Sequence, residues 1–129
     1  MIFITGGIGQ GKRDHAEKAF GISRERMADG EVLDINSLEK AECIYNYHEL
    51  IRRLIKNGID PDEYTKGFAE WNAGAVVIMN EVGCGIIPAE KEERLYREAV
   101  GRCGCILAGR AEKVIRIICG IPIVLKEKK

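Results

Sequence analysis

The sequence contains no apolar run that approaches the length needed to cross a bilayer, which argues against a membrane-spanning protein. It also lacks an excess of one charge. Its 20 Lys and Arg residues balance 20 Asp and Glu residues, so a general binder of nucleic acid or of membrane surfaces is not indicated. The start, Met1-Ile2-Phe3, has neither the basic segment nor the cleavage site of a signal peptide. We therefore expect a cytoplasmic protein.

Paired metal-ligating cysteines are missing as well. The five cysteines are odd in number and irregularly spaced, and no C-x-x-C pair occurs. Neither a disulfide framework nor a zinc site is therefore predicted. Cys103-Gly104-Cys105 comes nearest to a motif, and we interpret most cysteines as small buried apolar residues. A chain of 129 residues, 46% of them hydrophobic, is long enough for one domain, residues 1–129, with its own core.

Hydrophobic patterning alternates between strands and helices along the chain. Strands are predicted at residues 2–5, 31–34, 75–79, 114–119 and 121–125, and helices at 12–20, 37–56, from Pro61 past Trp71, and 89–110. The segment 75–79 is apolar on both faces and reads as a central strand. Pro122 cannot donate to a ladder, so the last strand is expected at an edge. The pattern predicts an α/β fold with a mostly parallel sheet flanked by helices and a C-terminal antiparallel hairpin.

The segment between the first strand and the first helix is rich in glycine. Its residues are Gly6, Gly7, Ile8, Gly9, Gln10, Gly11 and Lys12, which match G-x-x-x-x-G-K, the front of a P-loop. Glycines let successive backbone N–H groups turn toward a bound phosphate, and the following helix adds its N-terminal amides. The lysine contributes a full positive charge. These features predict a phosphate-binding loop for a nucleotide such as ATP or GTP.

Arg13 departs from the motif, which ends in Ser or Thr because that hydroxyl ligates Mg²⁺. A guanidinium cannot ligate a cation. Two interpretations follow from the residues. Either Arg13 contacts a phosphate oxygen directly, so that the site binds anions with little need of Mg²⁺, or the site has lost phosphoryl transfer and keeps binding at most.

Two carboxylates are candidates for the metal-binding or catalytic acid that a phosphoryl-transfer site needs. Glu81 follows the central strand at the end where open α/β sheets bind ligands. Asp34 follows the shorter predicted strand at 31–34. Either residue could instead be a helix cap or a solvated loop residue. With Lys12, Glu81 completes the predicted catalytic pair.

Two blocks of sequence resemble the adenosylcobinamide kinase / adenosylcobinamide-phosphate guanylyltransferase family. The family has a T-G-G-x-x-x-G-K-S loop followed by R-H-A-E, and an apolar strand that ends in N-E-V-G-x-G-I-V-P. The matching residues here are Thr5-Gly6-Gly7, Gly11-Lys12, His15-Ala16-Glu17, Asn80-Glu81-Val82-Gly83, Gly85-Ile86, Pro88, Arg97, Gly101-Arg102 and Gly120-Ile121. Together the two blocks cover about half of the chain.

The resemblance implies a P-loop NTPase-like fold, a homo-oligomer, a nucleoside triphosphate ligand and a cobinamide substrate in cobalamin biosynthesis. It implies phosphorylation of adenosylcobinamide and then GMP transfer through a histidine intermediate. It also places His15 near the loop, where the residue either approaches a phosphate or packs.

Two departures from the family bear on activity. The chain is shorter between its first helix and the central strand, where the family carries its nucleotidyl-accepting histidine, and His48 does not match that stretch. We expect His48 to be a packed or surface histidine, and the guanylyltransferase histidine to be missing. The sequence therefore leaves three readings open. The protein is a cobinamide kinase-like phosphotransferase, or a non-catalytic nucleotide- or anion-binding descendant that acts as a regulatory or assembly subunit, or a purely structural α/β domain with a vestigial loop.

Overall fold

The computed structural model describes residues 1–36, 41–82 and 90–128. Its strands are β1 (Ile2–Gly6), β2 (Met27–Asp29), β3 (Cys43–Tyr45), β4 (Val76–Asn80), β5 (Lys113–Ile118) and β6 (Ile121–Glu127). Its helices are α1 (Lys12–Phe20), α2 (Tyr47–Lys56), α3 (Pro61–Trp71) and α4 (Lys91–Arg110), and a short 3₁₀ turn covers Arg24–Arg26.

The described strands form one sheet in the order β2-β3-β4-β1-β5-β6. Every neighbouring pair is parallel except β5 and β6, which are antiparallel. The predicted α/β fold with its mostly parallel sheet and C-terminal hairpin is confirmed. So are the central position of the 75–79 segment and the edge position of the last strand. Because the parallel strands point the same way, their carboxyl ends meet at one edge of the sheet.

Each face of the sheet is covered by helices. On one face, α2, α3 and α4 bury the larger core, which contains Tyr47, Leu54 and Phe68. On the other face, α1 supplies Ala16 to a smaller core around Ile4 and Ile117. The alternation of side chains along β1 explains the division, since Phe3 belongs to the first core and Ile4 to the second.

Local signals set the helix boundaries on the larger face. The Asp60 side chain accepts a hydrogen bond from the N–H of Asp62, and Pro61 occupies the first helical position of α3. At the end of α2, Gly58 adopts a φ of 69°, a conformation that favours glycine. These boundaries confirm the predicted helix start at Pro61 and the predicted end at Asn57-Gly58.

The region between α1 and α2 is where the sequence-based prediction is wrong. Residues 31–34 form turns, not a strand, and the N–H of Glu31 donates to the Asp29 carboxylate in a local turn. The predicted helix 37–56 is also too long. Residues 43–45 form strand β3, and α2 begins only at Tyr47. Residues 37–40 of that prediction lie outside the described residues.

Two smaller expectations are met only in part. On α4, the predicted stripe is buried at Ala99, Cys103 and Leu107, whereas Leu95 is 49% exposed. Among the described cysteines, Cys43 and Cys103 are buried, but Cys105 and Cys119 are exposed, and none of these forms a disulfide. Among the described helices, none combines the length and apolar character needed to cross a membrane.

Candidate functional site

The glycine-rich loop lies at the carboxyl edge of the sheet, between β1 and α1. The turn out of β1 requires glycine at position 6, where φ is 154° and a Cβ atom would lie 2.5 Å from the Ile117 carbonyl oxygen. Gly11, at the start of α1, has a φ of 90°. The chain therefore leaves β1 and enters α1 along a path that other residues could not follow without strain.

Lys12 is buried at the base of the loop. Its side chain is 7% exposed, and its Nζ donates to the Gly7 carbonyl oxygen at 2.6 Å. Burial lowers the pKa of Lys12, and the nearby Glu81 carboxylate opposes that shift. The ammonium is thus held inside the curve of the loop, next to an acidic residue from the end of β4.

A cavity of about 370 Å³ opens beside the loop. Residues 8–14 form one wall, and the ends of β3 and β4 form another. The charged residues that line it are Lys12, Arg13, Asp14 and Arg24. Three of these four side chains are cationic, so the cavity favours a negatively charged ligand.

The hairpin turn between β5 and β6 is hydrogen-bonded to the loop through Gln10. The Gln10 side-chain oxygen accepts from the N–H of Cys119 at 2.5 Å, and its main-chain oxygen accepts from the N–H of Gly120 at 3.0 Å. Cys119 has a φ of 50°, which is unusual for a residue with a side chain. Both bonds fix the loop against the hairpin. No local sequence pattern could predict this contact, because its partners are 109 residues apart.

Arg13 lies against an aromatic ring at the cavity wall. Its guanidinium carbon is 4.5 Å from the centroid of the Tyr45 ring, within the range of a cation–π interaction. Tyr45 ends β3, the strand that the sequence analysis missed. The stacking holds the guanidinium at the position in the chain where the motif normally provides a hydroxyl.

Glu81 is held by an arginine that the sequence analysis did not single out. Arg116 on β5 donates to both carboxylate oxygens of Glu81, through Nε at 2.7 Å and through Nη2 at 3.0 Å. The Glu81 N–H donates in turn to the Gly6 carbonyl oxygen at 2.8 Å. Two-point pairing of this kind holds a carboxylate in one orientation and places a positive charge beside it.

These contacts remove one magnesium ligand that the motif supplies and offset the charge of another. Magnesium takes oxygen ligands, usually from carboxylates, phosphates and water. Arg13 offers no acceptor atom, and both oxygens of Glu81 already bind Arg116. In the part of the chain that the structure describes, no group of three or more His, Cys, Asp or Glu side chains could hold a metal ion.

His48 is packed behind the loop. The ring is buried, and its Nδ1 accepts a hydrogen bond from the N–H of Asn80 at 3.1 Å. Burial, Lys12 and Arg52 lower the pKa of His48 to about 4, while Asp29 opposes the shift. His48 is therefore neutral near pH 7 and anchors the end of β4, immediately before Glu81.

The remaining predicted site residues lie apart from this group. The His15 ring packs edge-on against Phe20, with 5.8 Å between ring centroids, and does not line the cavity. Asp34 lies in a turn, where its carboxylate accepts from the N–H of Asn36, and it does not line the cavity either. Their predicted roles in phosphate and metal binding stay predictions. The block that follows Val82 falls on residues 83–89, outside the described residues.

The Gln10 contact is testable by hydrogen exchange. In Gln10→Ala the Cys119 amide loses its acceptor, whereas the Gly120 amide keeps the main-chain oxygen of residue 10. A net hydrogen bond is worth about 1 kcal/mol, so we expect exchange at Cys119 to accelerate about fivefold, with little change at Gly120. NMR-detected exchange measures both amides in one sample. Unchanged exchange at Cys119 contradicts the contact.

Because His48 is buried in its neutral form, we expect the protein to lose stability in acid. An unfolded histidine takes up its proton near pH 6.5, but folded His48 does so only near pH 4, so the free energy of unfolding falls as pH drops between these values. One pKa unit corresponds to about 1.4 kcal/mol, which gives a loss on the order of 3 kcal/mol. Urea unfolding at pH 7 and pH 4.5 measures it. His48→Asn keeps an acceptor for Asn80 but does not titrate, so an equal loss in that variant contradicts the assignment.

Comparisons with known proteins agree with the resemblance seen in the sequence. A family model described as cobinamide kinase / cobinamide phosphate guanyltransferase matches residues 47–125. The bifunctional adenosylcobalamin biosynthesis protein CobU of Escherichia coli K12 is 25% identical over 181 aligned positions, which cover 98% of this chain and 99% of that protein. The alignment is longer than the 129 residues of this chain, so it contains gaps.

The protein of the same name from Salmonella typhimurium LT2 is 37% identical over 54 positions, which cover 42% of this chain and 30% of that protein. The family model covers more than half of the chain, including the strand that ends at Asn80 and the C-terminal hairpin. The resemblance seen in the two sequence blocks is confirmed. The chain belongs to the cobinamide kinase / cobinamide phosphate guanyltransferase family.

Proposed function

We propose that this protein binds the phosphates of a nucleoside triphosphate, ATP or GTP, in the loop between β1 and α1. The observation that carries the proposal is the buried ammonium of Lys12 inside a glycine-rich loop, where a parallel strand ends and a helix begins. Helix N-termini attract anions through their amides and their dipole, and three of the four charged residues that line the adjoining cavity are cationic.

Lys12 is positioned for an exchange of partners on binding. Its Nζ bonds the neutral carbonyl oxygen of Gly7. A phosphate oxygen within the loop would replace that neutral acceptor with an anionic one, which attracts the ammonium more strongly. Binding therefore gains free energy at Lys12 without moving a charge far, because the ammonium already lies within the curve of the loop.

The family membership suggests the second substrate. The matching family model is described as cobinamide kinase / cobinamide phosphate guanyltransferase, so we propose a cobinamide compound as the acceptor of a phosphoryl group. We propose that the guanylyltransferase histidine is absent. Among the described residues, His48 is packed against Asn80, and His15 is packed against Phe20. The chain would then retain the kinase step at most.

A second candidate function is binding without catalysis. In this alternative the protein is a regulatory or assembly subunit that senses a nucleotide or another anion. The observation that favours it is the pairing of Glu81 with Arg116, since the carboxylate proposed to serve the metal or the substrate hydroxyl is already engaged at both oxygens. Arg13 at the hydroxyl position of the motif favours it as well.

Two further features belong to the proposal. We propose that residues 1–129 form one domain, because both cores pack against a single sheet. We also propose a homo-oligomer. Edge strand β6 exposes apolar side chains at Ile121, Val124 and Leu125, and exposed apolar edges are common where chains associate.

Lys12→Ala tests the binding site. A ligand that binds the folded protein raises its melting temperature by mass action. We expect the increase produced by ATP, GTP or pyrophosphate to disappear, because the site loses the ammonium that attracts the phosphates. Thermal-shift titration measures it. Lys18→Ala is the matched control: it removes the same charge from the exposed last turn of α1 and should leave the ligand response intact. Equal responses in wild type and Lys12→Ala would refute the site.

The two candidate functions differ in turnover. If the protein is a kinase, incubation with cobinamide and ATP or GTP yields phosphorylated cobinamide and the nucleoside diphosphate, which mass spectrometry detects. The Lys12→Ala variant then loses at least tenfold in rate, since the lysine stabilises the charge that develops on the transferred group. Nucleotide binding without product, with or without added Mg²⁺, establishes the non-catalytic alternative.

A further inference from the structure

The cavity beside the loop carries its own positive charge. P-loop sites usually combine a lysine with a magnesium ion, and both neutralise the phosphates. Here Lys12, Arg13 and Arg24 line one cavity with a single carboxylate, Asp14. Arg24 bonds both Asp14 and Glu17, so the negative charge of Asp14 is already balanced within the wall. Lys12 and Arg13 remain as cations at the loop itself.

Arg13 is held in a conformation suited to an anion. Its guanidinium lies over the Tyr45 ring, 4.5 Å from the centroid to the guanidinium carbon, at the wall of the same cavity. Stacking restrains the plane of the group but leaves its N–H donors available at the edge of that plane. A guanidinium edge matches two phosphate oxygens, the same oxygens that a metal ion would otherwise bridge.

Glu81 is restrained at both ends. The N–H of Glu81 is bonded to Gly6, and both carboxylate oxygens are bonded to Arg116. The positive charge of Arg116 offsets the charge of this carboxylate, so Glu81 attracts a cation less strongly than an unpaired carboxylate would. A magnesium ligand would normally come from two positions here. The first is occupied by the cation Arg13, and the second by Glu81, which is paired with the cation Arg116.

We propose that this site binds the phosphate chain as a metal-free anion, with the Arg13 guanidinium in place of Mg²⁺. The inference rests on the proposed phosphate binding and adds the form in which the ligand binds. Magnesium would compete with Arg13 for the same phosphate oxygens, so it should not strengthen binding. This behaviour is opposite to that of a site whose metal is held by a loop hydroxyl.

Calorimetric titration with pyrophosphate and with ATP, each in EDTA and in excess Mg²⁺, tests the inference. We expect affinity in EDTA to equal or exceed the affinity in Mg²⁺. Binding that is tenfold or more tighter in Mg²⁺ overturns the metal-free assignment while leaving the phosphate site intact. Absence of binding in both conditions overturns the proposed function itself, so the two failures are distinguishable.

Variants of Arg13 locate the effect. Arg13→Ser should lower affinity in EDTA at least tenfold, and Arg13→Lys, which keeps the charge, should lose less. Arg110→Ser is the matched control, because it removes an exposed arginine from the far end of α4. Full affinity of Arg13→Ser in EDTA refutes the role of Arg13. An equal loss in Arg110→Ser also refutes it, because general attraction by the protein's charge would then explain the binding.

Discussion

The glycine-rich loop depends on the close approach of β1 to β5 at Gly6. A Cβ atom at this position would lie 2.5 Å from the Ile117 carbonyl oxygen, so only glycine lets the chain turn out of the sheet here. The Gly6 carbonyl oxygen then accepts the N–H of Glu81, which ties the end of β4 to the same turn. Gln10 bonds the loop to the hairpin turn through both its side chain and its main chain. The loop is thus fixed to strands on both sides, and the position of Lys12 follows from the sheet rather than from the loop alone.

Charge at the sheet edge is arranged as a set of pairs around that lysine. Burial lowers the pKa of Lys12, and Glu81 lies close enough to oppose part of that shift, yet the same carboxylate bonds Arg116 at both oxygens. His48 lies behind them, and burial together with the nearby cations lowers its pKa to about 4. A neutral histidine is therefore favoured where a charged one would add to the positive potential. The hydrogen bond from Asn80 is the structural consequence, because only an unprotonated Nδ1 can accept it.

Much of the fold could be predicted from the sequence, because its long elements carry strong local signals. The apolar segment of β4, the Asp60-Pro61 start of α3 and the glycines of the loop each specify their structure within a few residues. Strands β2 and β3 could not be predicted, since each has only three residues, too few to show an alternating pattern. In the site, Lys12 and the loop could be located from spacing. Arg116 could not be predicted as the partner of Glu81, because the two residues are 35 positions apart in the chain. They come together only because the sheet order brings β5 near the end of β4.

The positive charge of the cavity has a consequence for folding as well as for binding. Lys12, Arg13 and Arg24 line one cavity, and like charges held together in a folded protein destabilise it relative to an unfolded chain in which they separate. The cation–π contact of Arg13 with Tyr45 and the ion pairs of Arg24 offset part of that cost. An anion between these groups removes more of it. Ligand binding and the stability of the α1 end of the sheet are therefore linked through the same charges: substitutions that relieve the repulsion at the loop should stabilise the protein alone while weakening its response to phosphate.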